Sequence, residues 1–422
     1  MTPSAESGVL LEHLFRRQSG RMIAHFTRLL GPSHLDLAED AVQEAMLRAM
    51  QSWPHQGVPP NTEAWLFRVA HNAALDVVRR TRMSGDKTAE IVAALSSPGA
   101  AHPEYDPIEE QLRDDELSMI FMCCHPDIPS ESRLALSLKT VGGFNVREIA
   151  RAFLVDDAAI AQRLVRAKHY IRERHLTFER PGGPEMEQRL DAVLRVIYLL
   201  FNEGYSVLQG DELIRLDLCR EALRLGTLVA SSSLANPRVH ALAALMAIQA
   251  ARLPARVDER GELVLLEDQD RSRWDQTLLA IGFHHFDLSI SGDDVSRYHI
   301  EAAIAATHAQ STQEKTVDWH LILHLYDQLQ AIDDSPVVAL NRAVAVAKVH
   351  GPAAALAAVE PLLPEPRLRD YYLLLALRGH LLLELNRPAE AAATFRAALA
   401  CRCSEPERRF LRRKLGECGA PG

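Results

Sequence analysis

The stretch Asn145-Val146-Arg147-Glu148-Ile149-Ala150-Arg151-Ala152-Phe153-Leu154-Val155-Asp156-Asp157-Ala158-Ala159-Ile160-Ala161-Gln162-Arg163-Leu164-Val165-Arg166-Ala167-Lys168 carries two helices and the turn between them. Asn145 and Glu148 stand at capping-box spacing: the Asn145 side chain accepts from a first-turn amide while Glu148 reaches back to the Asn145 N–H. A short helix runs to about Phe153, Leu154-Val155-Asp156 makes the turn, and Asp156 or Asp157 caps a longer helix to about Glu173. Ile149, Phe153, Ile160, Leu164, Ala167 and Ile171 fall on the apolar stripes that pack the two helices together. This is a helix-turn-helix pattern, a motif whose second helix enters the major groove of DNA. That second helix is basic: between Ala159 and His175, Arg163, Arg166, Lys168, Arg172 and Arg174 stand against Glu173 alone.

The same 3.6-residue apolar period extends through the rest of the chain. Alternation at period 2 is nearly absent, so an all-α protein is expected. At 422 residues the chain exceeds what one packed core holds and divides into several parts. Residues 9–83 form a first helical unit, with helices at about 9–30, 34–52 and 61–82. The breaks are Gly31-Pro32 and Trp53–Pro60, and Asn61 caps the third helix. Residues 84–111, with Ser96-Ser97-Pro98-Gly99, Glu104, Asp106, Glu109 and Glu110, read as an acidic, mobile linker. Residues 112–180 form the second unit, and Pro181-Gly182-Gly183-Pro184 is the main boundary. Residues 185–422 are helical again. Pro352–Ala357 realigns on Pro388–Ala393 at an offset of 36, which suggests tetratricopeptide-like (TPR-like) hairpins at about 337–400, closed by a last helix at about 405–416.

Composition removes several function classes. Apolar residues make up 47% and charged residues 24%, ordinary for a globular protein. The longest apolar runs fall far short of the roughly 20 residues a membrane span needs, and the first residues show no secretory h-region, so a cytoplasmic protein without membrane contact is expected. Six cysteines are too sparse for a disulfide scaffold and lack zinc-site spacing. Nucleotide-loop, dinucleotide, zincin and nucleophile-elbow motifs are all missing. His320 and His324 are four residues apart, but Leu321-Ile322-Leu323 between them indicates packing. No catalytic residue, metal or cofactor is expected. The polar run Gly261–Asp275 reads either as a pocket built from a short extended segment and a loop or as a charged loop that ties helices together by ion pairs.

Leu37–Ala49 is an amphipathic helix with Ala38, Ala41, Val42, Ala45 and Leu47 facing in and Asp40, Gln43, Glu44 and Arg48 facing out. The next helix reads Ala64-Trp65-Leu66-Phe67-Arg68-Val69-Ala70-His71-Asn72, followed by Asp76 and Arg79-Arg80. The D-x-x-Q-E helix followed by this one resembles region 2 of sigma factors of the extracytoplasmic-function (ECF) group. The helix-turn-helix at 145–173 resembles their region 4, and the likeness covers residues 9–175 in order and spacing. Residues 185–422 are similar to the TPR-like extension of one ECF subgroup, with Val196–Tyr205 and Leu263–Asp275 carrying the likeness.

The resemblance implies an RNA polymerase sigma factor, not an enzyme. Its partners are core polymerase, through the β′ and β subunits, and promoter DNA at the −35 and −10 elements. Asp40, Gln43 and Glu44 match the face that meets the β′ clamp helices. The loop His55–Asn61 matches the pocket for a flipped base, with Trp65, Arg68, Asn72, Arg79 and Arg80 supporting that site or contacting phosphate. Ala158, Ala159, Gln162, Arg163 and Arg166 match the groove-facing side at the −35 element, and Arg172 and Arg174 are placed for phosphate. Ala159-Ile160-Ala161-Gln162 replaces the usual T-V-K-S, and Asp156-Asp157 adds negative charge at the helix start, so a −35 sequence is not carried over from relatives. The fused C-terminal part is expected to regulate, and is a candidate to contact region 2 or region 4 in place of a separate inhibitor. The competing reading is a helix-turn-helix regulator with a ligand- or peptide-sensing domain, which leaves the Asp40 and Trp65 helices unexplained.

Overall fold

The computed structural model describes residues 18–80, 107–153, 155–205, 215–292, 294–311 and 316–419. The described residues are helices and their connections, with no strand longer than the isolated bridges Val257–Leu263 and Tyr371–Arg402. The all-α expectation holds. The chain forms two compact units, Met1–Val196 and Ile197–Gly422. The division falls inside a helix rather than at Pro181–Pro184. Pro184 opens α8 (Pro184–Tyr205), and a proline in the first helical turn gives up only an N–H that has no intrahelical partner. The apparent breaker therefore starts a helix.

Unit 1 begins with α1 (18–30) and α2 (Leu35–Gln56). Gly31, at φ +86, makes the turn between them. The break expected at Trp53 lies further on, because α2 continues through Pro54 to Gln56. Buried Trp53 anchors that last turn, and the Gly57 N–H closes it on the Trp53 carbonyl at 3.0 Å. α3 (Thr62–Arg80) starts where Asn61 accepts from the Ala64 N–H at 2.9 Å, the expected cap. Phe26, Leu66 and Phe67 fill the core beside Ala38, Ala41, Val42, Ala45 and Ala49 of α2. Residues 81–106, which hold most of the expected linker, lie outside the described residues. The last part of that expected linker is helical, since α4 spans Pro107–Cys123.

α4 is tied to α1 by a buried carboxylate. Asp115 meets His25 Nδ1 at 3.0 Å and Arg28 Nε at 2.8 Å, and Gln111 donates to it at 2.8 Å. Cys123 and Cys124 are wholly buried. They sit against Thr140 and Ser137, and burial pushes the Cys124 thiol up to about 12. α5 (Ser130–Thr140), α6 (Val146–Ala152) and α7 (Asp157–Glu173) follow. Unit 1 also takes in the start of α8, where Arg189 donates to the Phe121 carbonyl at 3.0 Å.

Unit 2 continues with α9 (Leu216–Ala230), α10 (Pro237–Ala251), α11 (Gln276–Ser289), α12 (Arg297–Gln310) and α13 (Trp319–Ile332). α14 (Pro336–His350) pairs with α15 (Pro352–Val359), and α16 (Tyr372–Glu384) with α17 (Pro388–Ala400); α18 (Glu405–Glu417) packs on α17. Pro352 and Pro388, the 36-residue repeat positions, each open the second helix of a pair. Gly379 has no room for a Cβ, which would stand 2.8 Å from the Phe395 ring. One apolar core runs from α12 to α18 through Ile322, Leu340, Leu356, Tyr372, Leu382, Phe395 and Leu411. In the polar run 261–275, Glu262 pairs with Arg413 at 2.6 Å and Glu267 with Lys348 at 2.7 Å, as a loop that ties helices together does.

Candidate functional site

The outward face of α2 presents Asp40 and Gln43 exposed and Glu44 half-buried. Glu44 is paired with Arg48 one turn on, at 2.7 Å. Leu47 departs from expectation. Its side chain is 45% exposed and continues the same face, and Met50 follows at 59%. The spacing 40, 43/44, 47, 50 puts these residues on one stripe of the helix. The face is therefore acidic at one end and apolar at the other. Alanines fill the inward side, so Leu47 is not needed there.

α3 presents Trp65, Arg68 and Asn72 along one side. Arg68 and Asn72 are exposed and Trp65 is half-buried. Trp65 meets Trp53 edge-on, with ring centroids 5.4 Å apart, which fixes the end of α2 against the start of α3. The loop between them, including Gly57 and Val58, is exposed. Arg79 and Arg80 end α3, and their side chains lie outside the described residues.

The helix-turn-helix has the local structure its sequence specifies. The Glu148 N–H donates to Asn145 Oδ1 at 2.9 Å and the Asn145 N–H to Glu148 Oε2 at 2.7 Å, a complete capping box. Ile149, Ile160, Leu164, Ala167 and Ile171 are buried. Asp156 occupies the cap position of α7 but makes no side-chain cap bond. Ala158, Gln162, Arg166 and Arg174 are exposed, and Ala159 is half-buried. Arg163 is half-buried and paired with Glu131 at 2.8 Å. Val165, which the sequence reading did not single out, is 64% exposed between Gln162 and Arg166. An exposed apolar side chain on such a helix can meet a thymine methyl group.

The basic end of α7 is engaged. Lys168 contacts Asp36 at 2.6 Å and Glu39 at 2.9 Å, and Arg172 contacts Asp36 at 3.0 Å. Both acids lie at the start of α2. Burial pulls the Lys168 ammonium down, but Glu39 and Asp36 outweigh it and hold its pKa above the ordinary value. Of the residues expected to contact phosphate, Arg172 is thus held by a carboxylate within unit 1, and Arg174 is in no such pair among the described residues. Among the described residues no group of three or more His, Cys, Asp or Glu side chains converges as a metal site, and no helix is long and apolar enough to cross a membrane.

Residues 14–83 match the model of sigma-70 region 2, and residues 189–290 match a family of unknown function (DUF6596). An uncharacterised protein of Rhizobium meliloti is 41% identical over 389 residues, 92% of this chain and 91% of that protein. The probable RNA polymerase sigma factor RfaY of Xanthomonas campestris pv. campestris is 30% identical over 155 residues, 35% of this chain and 37% of its own. The ECF RNA polymerase sigma factor SigM of Bacillus subtilis is 27% identical over 139 residues, 32% of this chain and 78% of its own. No solved structure matches. The region 2 match falls on the helices that carry the exposed α2 stripe and the Trp65–Asn72 face, and with these relatives it supports an RNA polymerase sigma factor of the ECF type.

Proposed function

We propose that this sigma factor binds core RNA polymerase through the outward face of α2 and directs initiation by reading a −10 element with region 2 and a −35 element with α7. The observation that carries this reading is the α2 stripe, where Asp40 and Gln43 are followed by exposed Leu47 and Met50. An acidic face steers the encounter with a basic partner helix, and a desolvated apolar pair then holds it. The polymerase partners are the β′ subunit at α2 and the β subunit at the helix-turn-helix. Trp65, Arg68, Asn72, Arg79 and Arg80 serve the −10 site. On α7, Gln162 and Arg166 are chemically suited to base edges, with Ala158, Ala159 and Val165 beside them. Arg163 and Arg172 serve at the backbone once their carboxylate partners are released, with Arg174 beside them. The chain supplies no chemistry of its own, and the C-terminal helical part regulates access to these surfaces, by contact with region 2 or region 4.

α7 cannot lay its Lys168–Arg172 side along DNA while those side chains hold Asp36 and Glu39. Promoter engagement therefore requires these pairs to break. Arg172–Asp36 is an exposed pair of the kind that contributes only about 0.2–1 kcal/mol, whereas Lys168 and Glu39 are mostly shielded from solvent, so core polymerase must displace both when it occupies α2.

Competition for core polymerase against a labelled sigma factor tests this reading. Asp40→Lys with Glu44→Lys should weaken binding at least tenfold, and Leu47→Ala with Met50→Ala should weaken it without changing its salt dependence. Binding unchanged by both pairs of substitutions would place the polymerase surface elsewhere.

A further inference from the structure

Arg252, Arg256 and Arg271 of unit 2 gather around two aromatic rings. The Arg252 guanidinium lies 5.7 Å from the centre of the Trp274 ring and that of Arg271 lies 4.8 Å from the same ring. Arg256, one helical turn beyond Arg252, stacks 4.0 Å from the Tyr205 ring and donates to the Tyr205 carbonyl. Three cations in one place normally draw carboxylates. Here, among the described residues, none of the three is paired with one. Several acids nearby in sequence are engaged elsewhere: Asp258 accepts from the Arg260 and Glu262 N–H, Asp270 from Ser272, and Asp275 from the Thr277 and Leu278 N–H. Glu267 is paired with Lys348.

The contacts these arginines do make fall short of neutralising them. Arg271 donates to the His308 and Ser311 carbonyls at 3.0 and 2.5 Å, at the end of α12. Arg252 caps the end of α10, and its one hydrogen bond in the described residues is to Gln269, at 3.4 Å. A helix C-terminus carries about half a negative charge. The Tyr205 carbonyl that Arg256 meets is the end of α8, so three such ends balance about one and a half of the three positive charges and leave roughly one and a half. The excess is felt locally. Burial first, then Arg252 and Arg271, push His308 down to about 4. Trp274 is buried, and its indole N–H has no acceptor.

We infer that Arg252, Arg256 and Arg271 form a binding site for a small phosphate-type dianion. Guanidinium forks match the geometry of phosphate oxygens, and a dianion closes the local charge balance. The faces of Trp274 and Tyr205 are already covered by guanidiniums, so they are not free to stack a nucleobase. The shared chemistry is a phosphate group, whether free inorganic phosphate or the phosphate of a small ester.

Titration calorimetry and thermal unfolding of the full chain at constant ionic strength test the site, with inorganic phosphate, glycerol phosphate, acetate and chloride as probes. Phosphate should bind saturably and raise the unfolding temperature over the chloride control. Glycerol phosphate should match it if an ester is accepted, or fail if only the free ion fits; acetate should have no effect. Arg252→Gln should lose at least tenfold in phosphate affinity. Because that arginine makes only one long hydrogen bond, the variant should unfold no earlier than the parent when phosphate is absent. Arg256→Gln gives a second reading of the same loss. No saturable phosphate binding by the parent chain, or an undiminished response in both variants, overturns the inference. These readouts do not involve polymerase, so they stand or fall apart from the promoter reading.

Discussion

Asn145 and Glu148 satisfy one another's backbone amides at the entry of the helix-turn-helix, and the short helix they start has only seven residues, Val146–Ala152. So short a helix has little propensity of its own, so its cap matters. Asn145→Ala should lower stability by about 1 kcal/mol, seen as an earlier urea midpoint for the unit 1 signal; an unchanged midpoint would mean that tertiary packing alone holds α6. His308 gives a residue-scale test in pH. Its folded pKa lies near 4, against about 6.5 when unfolded. Between those values the unfolded chain binds the extra proton, so this contribution is complete above pH 6.5 and is lost as pH falls toward 4. Up to about 3 kcal/mol is at stake. His308→Gln should flatten the dependence of stability on pH in that window, and an unaltered slope would assign the acid sensitivity to other groups.

At the scale of elements, the helices and caps were legible because they follow from local rules. The apolar stripe Ile149, Ile160, Leu164, Ala167, Ile171 and the Asn61 cap are where periodicity and spacing place them. Three features were not legible, each for a physical reason. Pro54 reads as a break, but at the end of a helix a proline forfeits only one bond, and Trp53 and Gly57 hold the turn. Leu47 reads as core because leucine usually is; only the alanine-filled inner side of α2 reveals that it faces out. The grip of Asp36 and Glu39 on Lys168 and Arg172 joins residues more than a hundred positions apart, and no local pattern encodes it. Asp36→Asn with Glu39→Gln removes that grip. The affinity of the full chain for short duplex DNA at low salt should rise several-fold, as the ion pairing that holds Lys168 and Arg172 is relieved. Unchanged affinity would show that the basic end of α7 is not used on DNA.

For the whole molecule, a net charge of −9 hides an uneven distribution, with an acidic face on α2 and a basic end on α7. The compact units divide at Val196 and not at Pro184, so the first half of α8 belongs with unit 1. A chain ending at Val196 should therefore melt several degrees above one ending at Pro184, because it keeps the Arg189 bond to the Phe121 carbonyl; equal melting would deny α8 a part in unit 1. The central claim is that exposed α2 residues deliver this chain to polymerase and so to promoters. Reconstituted transcription from a library of genomic fragments, with core polymerase and mapped 5′ ends, tests it most directly. The full chain should produce discrete start sites that share upstream elements, and the Asp40→Lys/Glu44→Lys chain should produce none. Start sites that persist in the charge-reversed chain, or none from the full chain and from the chain ending at Val196 alike, would contradict it.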